Sequence, residues 1–307
     1  MMMIAQPQAW RAFHVFYFDD EHVDELLIET GRLISELAPS PAHWFFIRYQ
    51  EGGMHLRFRL REGSEGFAEL SCRVRDKAWA LGRSAAKLPE VPAGGGPDER
   101  GHFHYPGSVV EIPYVPETDR YGGPDALSEN EALFQHSTSI AMKVIGATLS
   151  DWPKRAKLAI DLMLAVATVA EEDEKNVGRF FEAYSRFWAE RFQIGEMAED
   201  SRVTSARAVN SRLQKLREYA ASDSSPETPS QSWLRRLHEA KRRFEDLSQC
   251  GKLVSPADRK VVNDRDAFNA AVSDMLMSQL HMMNNRLGFA PYLEMMWAGA
   301  LARSLAR

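Results

Sequence analysis

Between Gly52 and Glu62 the sequence reads GGMHLRFRLRE, with His55, Arg57, Arg59 and Arg61 at every second residue and Met54, Leu56, Phe58 and Leu60 between them. In an extended strand successive side chains point to opposite faces. This segment therefore sorts into one apolar face and one face carrying an imidazole and three guanidinium groups. The apolar face calls for a core to cover it. The cationic face has a simple reading as a solvated outer surface, yet a row of like charges is unfavourable unless an anion or carboxylates stand opposite.

The flanking sequence supplies the rest of a sheet. HWFFIRY (residues 43–49) and MHLRFRL (residues 54–60) are separated by Gln50, Glu51, Gly52 and Gly53, the spacing of a short hairpin. WRAFHVFYF (residues 10–18) is dense in aromatic and β-favouring residues and predicts a first strand. The acidic pair Asp19 and Asp20 then offers an N-cap to a helix over 21–37, where Val23, Leu26, Leu27, Ile34 and Leu37 share a face. A second helix is expected over 65–81. PEVPAGGGPDERGHFHYPG (residues 89–107) has too many glycines and prolines for a regular element and predicts a long loop. SVVEIPYV resumes as a strand, and PETDRYGG ends it in a turn whose two glycines permit unusual backbone angles.

From Pro124 onward the period changes to that of helices, predicted over 127–149, 154–171 and 175–193, with Phe180, Tyr184, Phe187 and Trp188 among the apolar positions. ASDSSPETPSQS (residues 221–232) predicts a mobile polar linker. DAFNAAVSDMLMSQLHMMNNRL and, after Gly288, PYLEMMWAGALARSLA are the last two helices. The fold class is α+β, a strand-rich N-terminal lobe followed by a helical one.

Composition narrows the function classes. The chain has 307 residues, and its formal net charge of -5 does not advertise a nucleic-acid partner, so the basic strand is a local concentration of charge. Cys72 and Cys250 stand in no metal or disulfide spacing and are expected to be reduced thiols. No run approaches the roughly 18 apolar residues of a membrane span, and the start of the chain lacks a signal peptide's basic region and apolar core. A soluble cytoplasmic protein is expected.

The polar residues with chemical promise cluster late in the chain. Asp274, Ser278, His281 and Asn285 are four, three and four residues apart, so a helix aligns them in one stripe among methionines and leucines. A solvent face would account for such a stripe, but this one carries no lysine or glutamate. His102 and His104 in HFHY lack a third metal ligand. RRLHEAKRR (residues 235–243) reads as a solvated helix face, or as a grip for an acidic partner, and the acidic run at Glu171 as a helix cap. No phosphate loop, GxSxG elbow or HExxH is present.

Taken in order, WFFIRY, GGMHLRFRLR, YVPETDRYGG, LFQHSTS and SQLHMMNNRLG resemble the C-terminal elimination domain of class I lanthipeptide dehydratases, which also occurs as a stand-alone protein in thiopeptide pathways. The resemblance runs nearly end to end. It implies one elimination domain over 1–307, with an α+β lobe over 1–125 and a helical lobe over 126–307. It also implies a lyase that expels glutamate from glutamylated serine or threonine of a ribosomal precursor peptide, leaving dehydroalanine or dehydrobutyrine.

The implied catalytic residues are Arg57, Arg59 and His281, with Arg120 of DRYGG as a further arginine. Implied substrate contacts are His55, Arg61, Tyr121, Ser278, Asn285 and Arg286. The implied partners are the precursor peptide with its leader and a separate tRNA-dependent glutamylation enzyme, with no metal, no organic cofactor, no direct nucleic acid and no membrane. A homodimer is compatible with the sequence. Two alternatives stay open. One is a thiopeptide pyridine synthase, which joins two dehydroalanines in a formal [4+2] cycloaddition and releases the leader; the other is a non-catalytic scaffold that binds the precursor.

Overall fold

The computed structural model describes residues 10–17, 19–37, 43–61, 66–84, 101–171, 174–194 and 206–306. The chain divides into two compact units, residues 1–115 and 116–307, the division falling before the predicted residue 125. The fold is α+β. Most of the predicted glycine-rich loop and the first nine residues lie outside the described set.

Among the described residues the first unit is a four-stranded antiparallel sheet backed by two helices. Its strands are β1 (Trp10–Phe16), β2 (Trp44–Tyr49), β3 (His55–Arg61) and β4 (Val109–Glu111), in the order β2-β3-β1-β4. The hairpin of β2 and β3 forms as its spacing predicts, with Phe46 opposite Phe58 and Phe45 opposite Arg59. Register fixes which side each residue faces. Phe13, Phe46 and Phe58 share one face and are fully buried, with Phe13 and Phe58 stacked at 5.2 Å. The helices α1 (Val23–Leu37) and α2 (Phe67–Ser84) complete the unit, and Phe67 of α2 meets Phe13 edge-on at 5.5 Å. Burying that aromatic cluster supplies the hydrophobic drive for the sheet, worth about 1.5–3 kcal/mol per side chain. The Asp19 carboxylate accepts from the His22 backbone N–H at 3.0 Å, just ahead of α1.

The second unit is helical. A 3-10 turn (Thr118–Tyr121) leads into α3 (Pro124–Ala147), α4 (Trp152–Ala170), α5 (Glu174–Arg191), α6 (Ala206–Ala220), α7 (Pro229–Gln249), α8 (Arg265–Leu287) and α9 (Pro291–Leu305). The final residues of the segment read as a linker are the first turn of α7. The cause is a capping box, in which Thr228 accepts from the Gln231 N–H and the Gln231 side chain accepts from the Thr228 N–H. Helix α8 lies against α3, α4, α7 and α9 and buries Phe268, Val272, Met275, Leu276, Leu280 and Met283. Among the described residues no helix is long and apolar enough to cross a membrane.

Candidate functional site

In the first unit, register puts Trp10, Ala12, His14 and Phe16 of β1 on the same face as His55, Arg57, Arg59 and Arg61, with Phe45, Ile47 and Tyr49 of β2 beside them. Among the described residues no carboxylate occupies a register position opposite the arginines. Aromatic rings pack against them. The Arg57 guanidinium carbon lies 3.4 Å from the Tyr49 ring centroid, and that of Arg59 lies 5.5 Å from Phe45 and 5.3 Å from Tyr114. Arg61 stands 5.5 Å from Trp10. The negative faces of these rings offset part of the mutual repulsion.

Two histidines sit beneath this row. His14 and His55 stack at 4.9 Å and are both buried. Burial, then the neighbouring His55 and Arg57, drives the pKa of His14 down to about 2. Burial also lowers that of His55, to about 4, against an opposing hydrogen bond to Gly53 and with help from Arg57. Both rings are therefore neutral at ordinary pH.

The second unit carries the polar stripe of α8. Gly288, with φ of 87°, ends α8 in a left-handed cap, and Pro291 starts α9 almost at once. That tight reversal brings Glu294, in the first turn of α9, back to His281. Nδ1 of His281 lies 3.1 Å from Oε1 of Glu294, and the Tyr184 hydroxyl of α5 donates to Oε2 of the same carboxylate. Glu294 is wholly buried, whereas 15% of the His281 side chain is exposed. Burial, then the carboxylate, raises the Tyr184 phenol well above its ordinary value, so it remains a donor. The Trp188 ring packs 4.9 Å from the imidazole.

Arg120 joins this stripe from the 3-10 turn, its Nε donating to Ser278 Oγ at 3.1 Å. Gly122 makes the approach possible. It has φ of 83°, and a Cβ there would fall 2.8 Å from the Met275 sulfur. Asn130 of α3 donates to the Tyr121 carbonyl at 3.1 Å and accepts from Gln279 of α8 at 2.9 Å, tying turn, α3 and α8 together.

The arrangement sorts the residues predicted from sequence. Arg120, Ser278 and His281 come together, and Asn285 continues their stripe, half-buried. Asp274, at its other end, has its pKa raised by burial. Arg57, Arg59 and Arg61 share one sheet face. His55, Tyr121 and Arg286, read from sequence as substrate contacts, are 1%, 3% and 0% exposed. Their polar and aromatic atoms face protein: Arg286 Nε donates to Thr138 Oγ1 at 3.2 Å, and the Tyr121 ring packs on Phe134 at 5.0 Å. The physical reason is helical phase. Arg286 follows Asn285 by one residue and turns into the core.

His104 is stacked on Phe16 at 4.5 Å, and among the described residues no cluster of His, Cys, Asp or Glu could hold a metal ion. Of RRLHEAKRR, Arg236 and Arg243 pair with Glu129 of α3. Glu294 and His14 were not singled out from sequence, and Tyr184 was read only as an apolar helix position. The available signal for Glu294 was a lone carboxylate in the apolar run PYLEMMWAGALA.

A family model described as lantibiotic biosynthesis dehydratase, C-terminal, matches residues 10–305. No curated protein matches the sequence. Among solved structures, the pyridine synthase TbtD from thiomuracin biosynthesis is similar with a TM-score of 0.69 and 16% identity, over 97% of this chain and 98% of that one. TsrL is similar at 0.63 and 18% identity, over 96% and 93% of the two chains. The tRNA-dependent lantibiotic dehydratase MibB from Microbispora sp. 107891 is similar at 0.57 and 19% identity, over 99% of this chain but 28% of its own.

Proposed function

Because the chain belongs to the lantibiotic biosynthesis dehydratase C-terminal family, a family of peptide-modifying enzymes, we propose that it is a lyase that expels glutamate from glutamylated serine or threonine of a ribosomal precursor peptide. The reaction removes the Cα proton, forms the Cα=Cβ bond and breaks the Cβ–O bond, so glutamate departs as a carboxylate and dehydroalanine or dehydrobutyrine remains. A departing group with two carboxylates needs cationic receptors, and a weakly acidic Cα–H needs a placed base.

The observation that carries this reading is the row of guanidinium groups, Arg57, Arg59 and Arg61, gathered on one sheet face and packed against aromatic rings. Arg57 and Arg59 receive the glutamate, with Arg61 adding to the field. His281 is the base. Glu294 accepts its Nδ1–H, which leaves the Nε2 lone pair for the Cα proton. Ser278, held by Arg120, and Asn285 orient the peptide amide beside it. The reading also names the partners, a leader-bearing precursor and a separate glutamylation enzyme that uses charged tRNA, in a cytoplasmic thiopeptide or lanthipeptide pathway.

A second reading is favoured by the full-length correspondence of fold with a pyridine synthase. In it, two dehydroalanines are joined and the leader is expelled. That chemistry releases no glutamate and gives the arginine row no task. Purified protein incubated with a glutamylated precursor decides by mass spectrometry. Elimination predicts loss of the glutamyl groups with the leader retained. Retention of every glutamyl group on a bound peptide sinks the proposal, and conversion of a multiply dehydrated peptide to a leaderless pyridine product supports the second reading.

A further inference from the structure

The segment Gly53–Arg57 contains a relay that the sequence reading did not anticipate. His55 Nδ1 lies 2.7 Å from the Gly53 carbonyl oxygen, and Arg57 Nε lies 3.0 Å from His55 Nε2. Chemistry fixes the proton in this chain. A carbonyl can only accept, so Nδ1 carries the hydrogen; a guanidinium can only donate, so Nε2 is the acceptor. Both bonds are satisfied by a single neutral tautomer. Gly53 has φ of 117°, so the carbonyl's direction depends on a backbone shape that a residue with a Cβ resists.

We infer that His55 is the positioning residue for Arg57, its imidazole holding the guanidinium by Nε so that recognition of a carboxylate falls to the Nη1–Nη2 end. The ring is 1% exposed and cannot itself touch a substrate. It is clamped from each neighbouring element: His14 and Phe16 of β1 lie 4.9 and 4.6 Å away, and Tyr49 of β2 lies 5.6 Å away. Among the described residues the charged and titratable groups around it are Arg57, Arg59, His104 and His14, with Tyr49 beyond. All but the phenol are basic, so a proton on Nε2 would both remove the acceptor and add a cation beside Arg57. The lowered pKa, about 4, keeps the acceptor in place across the neutral range. Tyr49 fixes the plane of the same guanidinium by stacking, so the ring and the imidazole together determine its orientation.

The assignment deepens the elimination reading and rests on it only for the effect on rate. Long-range proton–nitrogen NMR of the histidine rings reads the tautomer in the intact protein, and the exchange rate of the Arg57 Nε–H reads the bond. The expected result is an Nδ1–H tautomer for His55 from neutral pH down to about pH 5, with a slowly exchanging Arg57 Nε–H. His55→Asn keeps a group near Nδ1 but loses the acceptor, and should speed that exchange and lower elimination about tenfold to a hundredfold. His55→Gln, which carries an acceptor near Nε2, should recover most of both. An Nε2–H tautomer in the wild type, or equal Arg57 Nε–H exchange in His55→Asn and wild type, overturns the inference. Protection and tautomer as expected, in a protein that eliminates nothing, would support the positioning role and overturn the elimination reading.

Discussion

The two units each hold a histidine bonded to a charged partner, and the partners are opposite in kind. In the sheet, His55 accepts from an arginine and is walled by basic and aromatic groups, so it serves as a fixed, neutral strut. In the helical unit, His281 faces the buried Glu294 and keeps an edge exposed. A carboxylate can only accept from it, which leaves the second nitrogen to accept a proton from elsewhere. On the proposed reading the same side chain serves as a strut or as a base according to which neighbour its element supplies.

Removing the base should have the largest effect. His281→Ala is expected to lower glutamate elimination by about 10²–10⁴-fold, read by mass spectrometry of the peptide, with precursor binding retained. Unchanged dehydration in the complete pathway would instead mark the protein as a scaffold. Glu294→Gln should follow, at about a hundredfold, because an amide can present N–H to Nδ1 and shift the ring proton to Nε2; the Nδ1–H tautomer should disappear from the spectrum along with activity. Arg59→Lys keeps the charge but loses the planar fork between Phe45 and Tyr114. Elimination should fall about tenfold, with the melting temperature nearly unchanged.

The smallest effect is on stability against pH. His14 and His55 have folded pKa values of about 2 and about 4, both below the ordinary 6.5. Their contribution is therefore complete above about pH 6.5 and declines below it as the unfolded chain takes up protons first. His55 contributes to the decline down to about pH 4 and His14 to still lower pH. Hydrogen exchange of the β1 and β3 amides should accelerate across that window, and His14→Phe should flatten the slope. A slope identical in the variant would contradict the neutral-histidine assignment.

Much of this was legible in sequence because strand and helix periods leave distinct marks. The alternation in MHLRFRL located β3 within a residue and correctly grouped His55 with the arginines. It could not reveal burial on the polar face, since a period of two says which side a residue faces and nothing about what covers that side. The stripe from Asp274 to Asn285 was visible for the same kind of reason. Glu294 was not, because its importance comes from the Gly288–Pro291 reversal, a three-dimensional event. The start of α7 was available in TPSQ, where a capping box outweighs the polar composition that suggested a linker through Ser232.

The central claim is that glutamate leaves by proton abstraction at Cα, and the most direct measurement is release of free glutamate from a glutamylated precursor whose acceptor serine carries deuterium at Cα. The account predicts stoichiometric release of glutamate with dehydroalanine, slowed by the deuterium in single turnover and abolished in His281→Ala. Release at equal rates from protonated and deuterated peptide by both wild type and His281→Ala, or glutamate freed with serine regenerated rather than dehydroalanine formed, would contradict it.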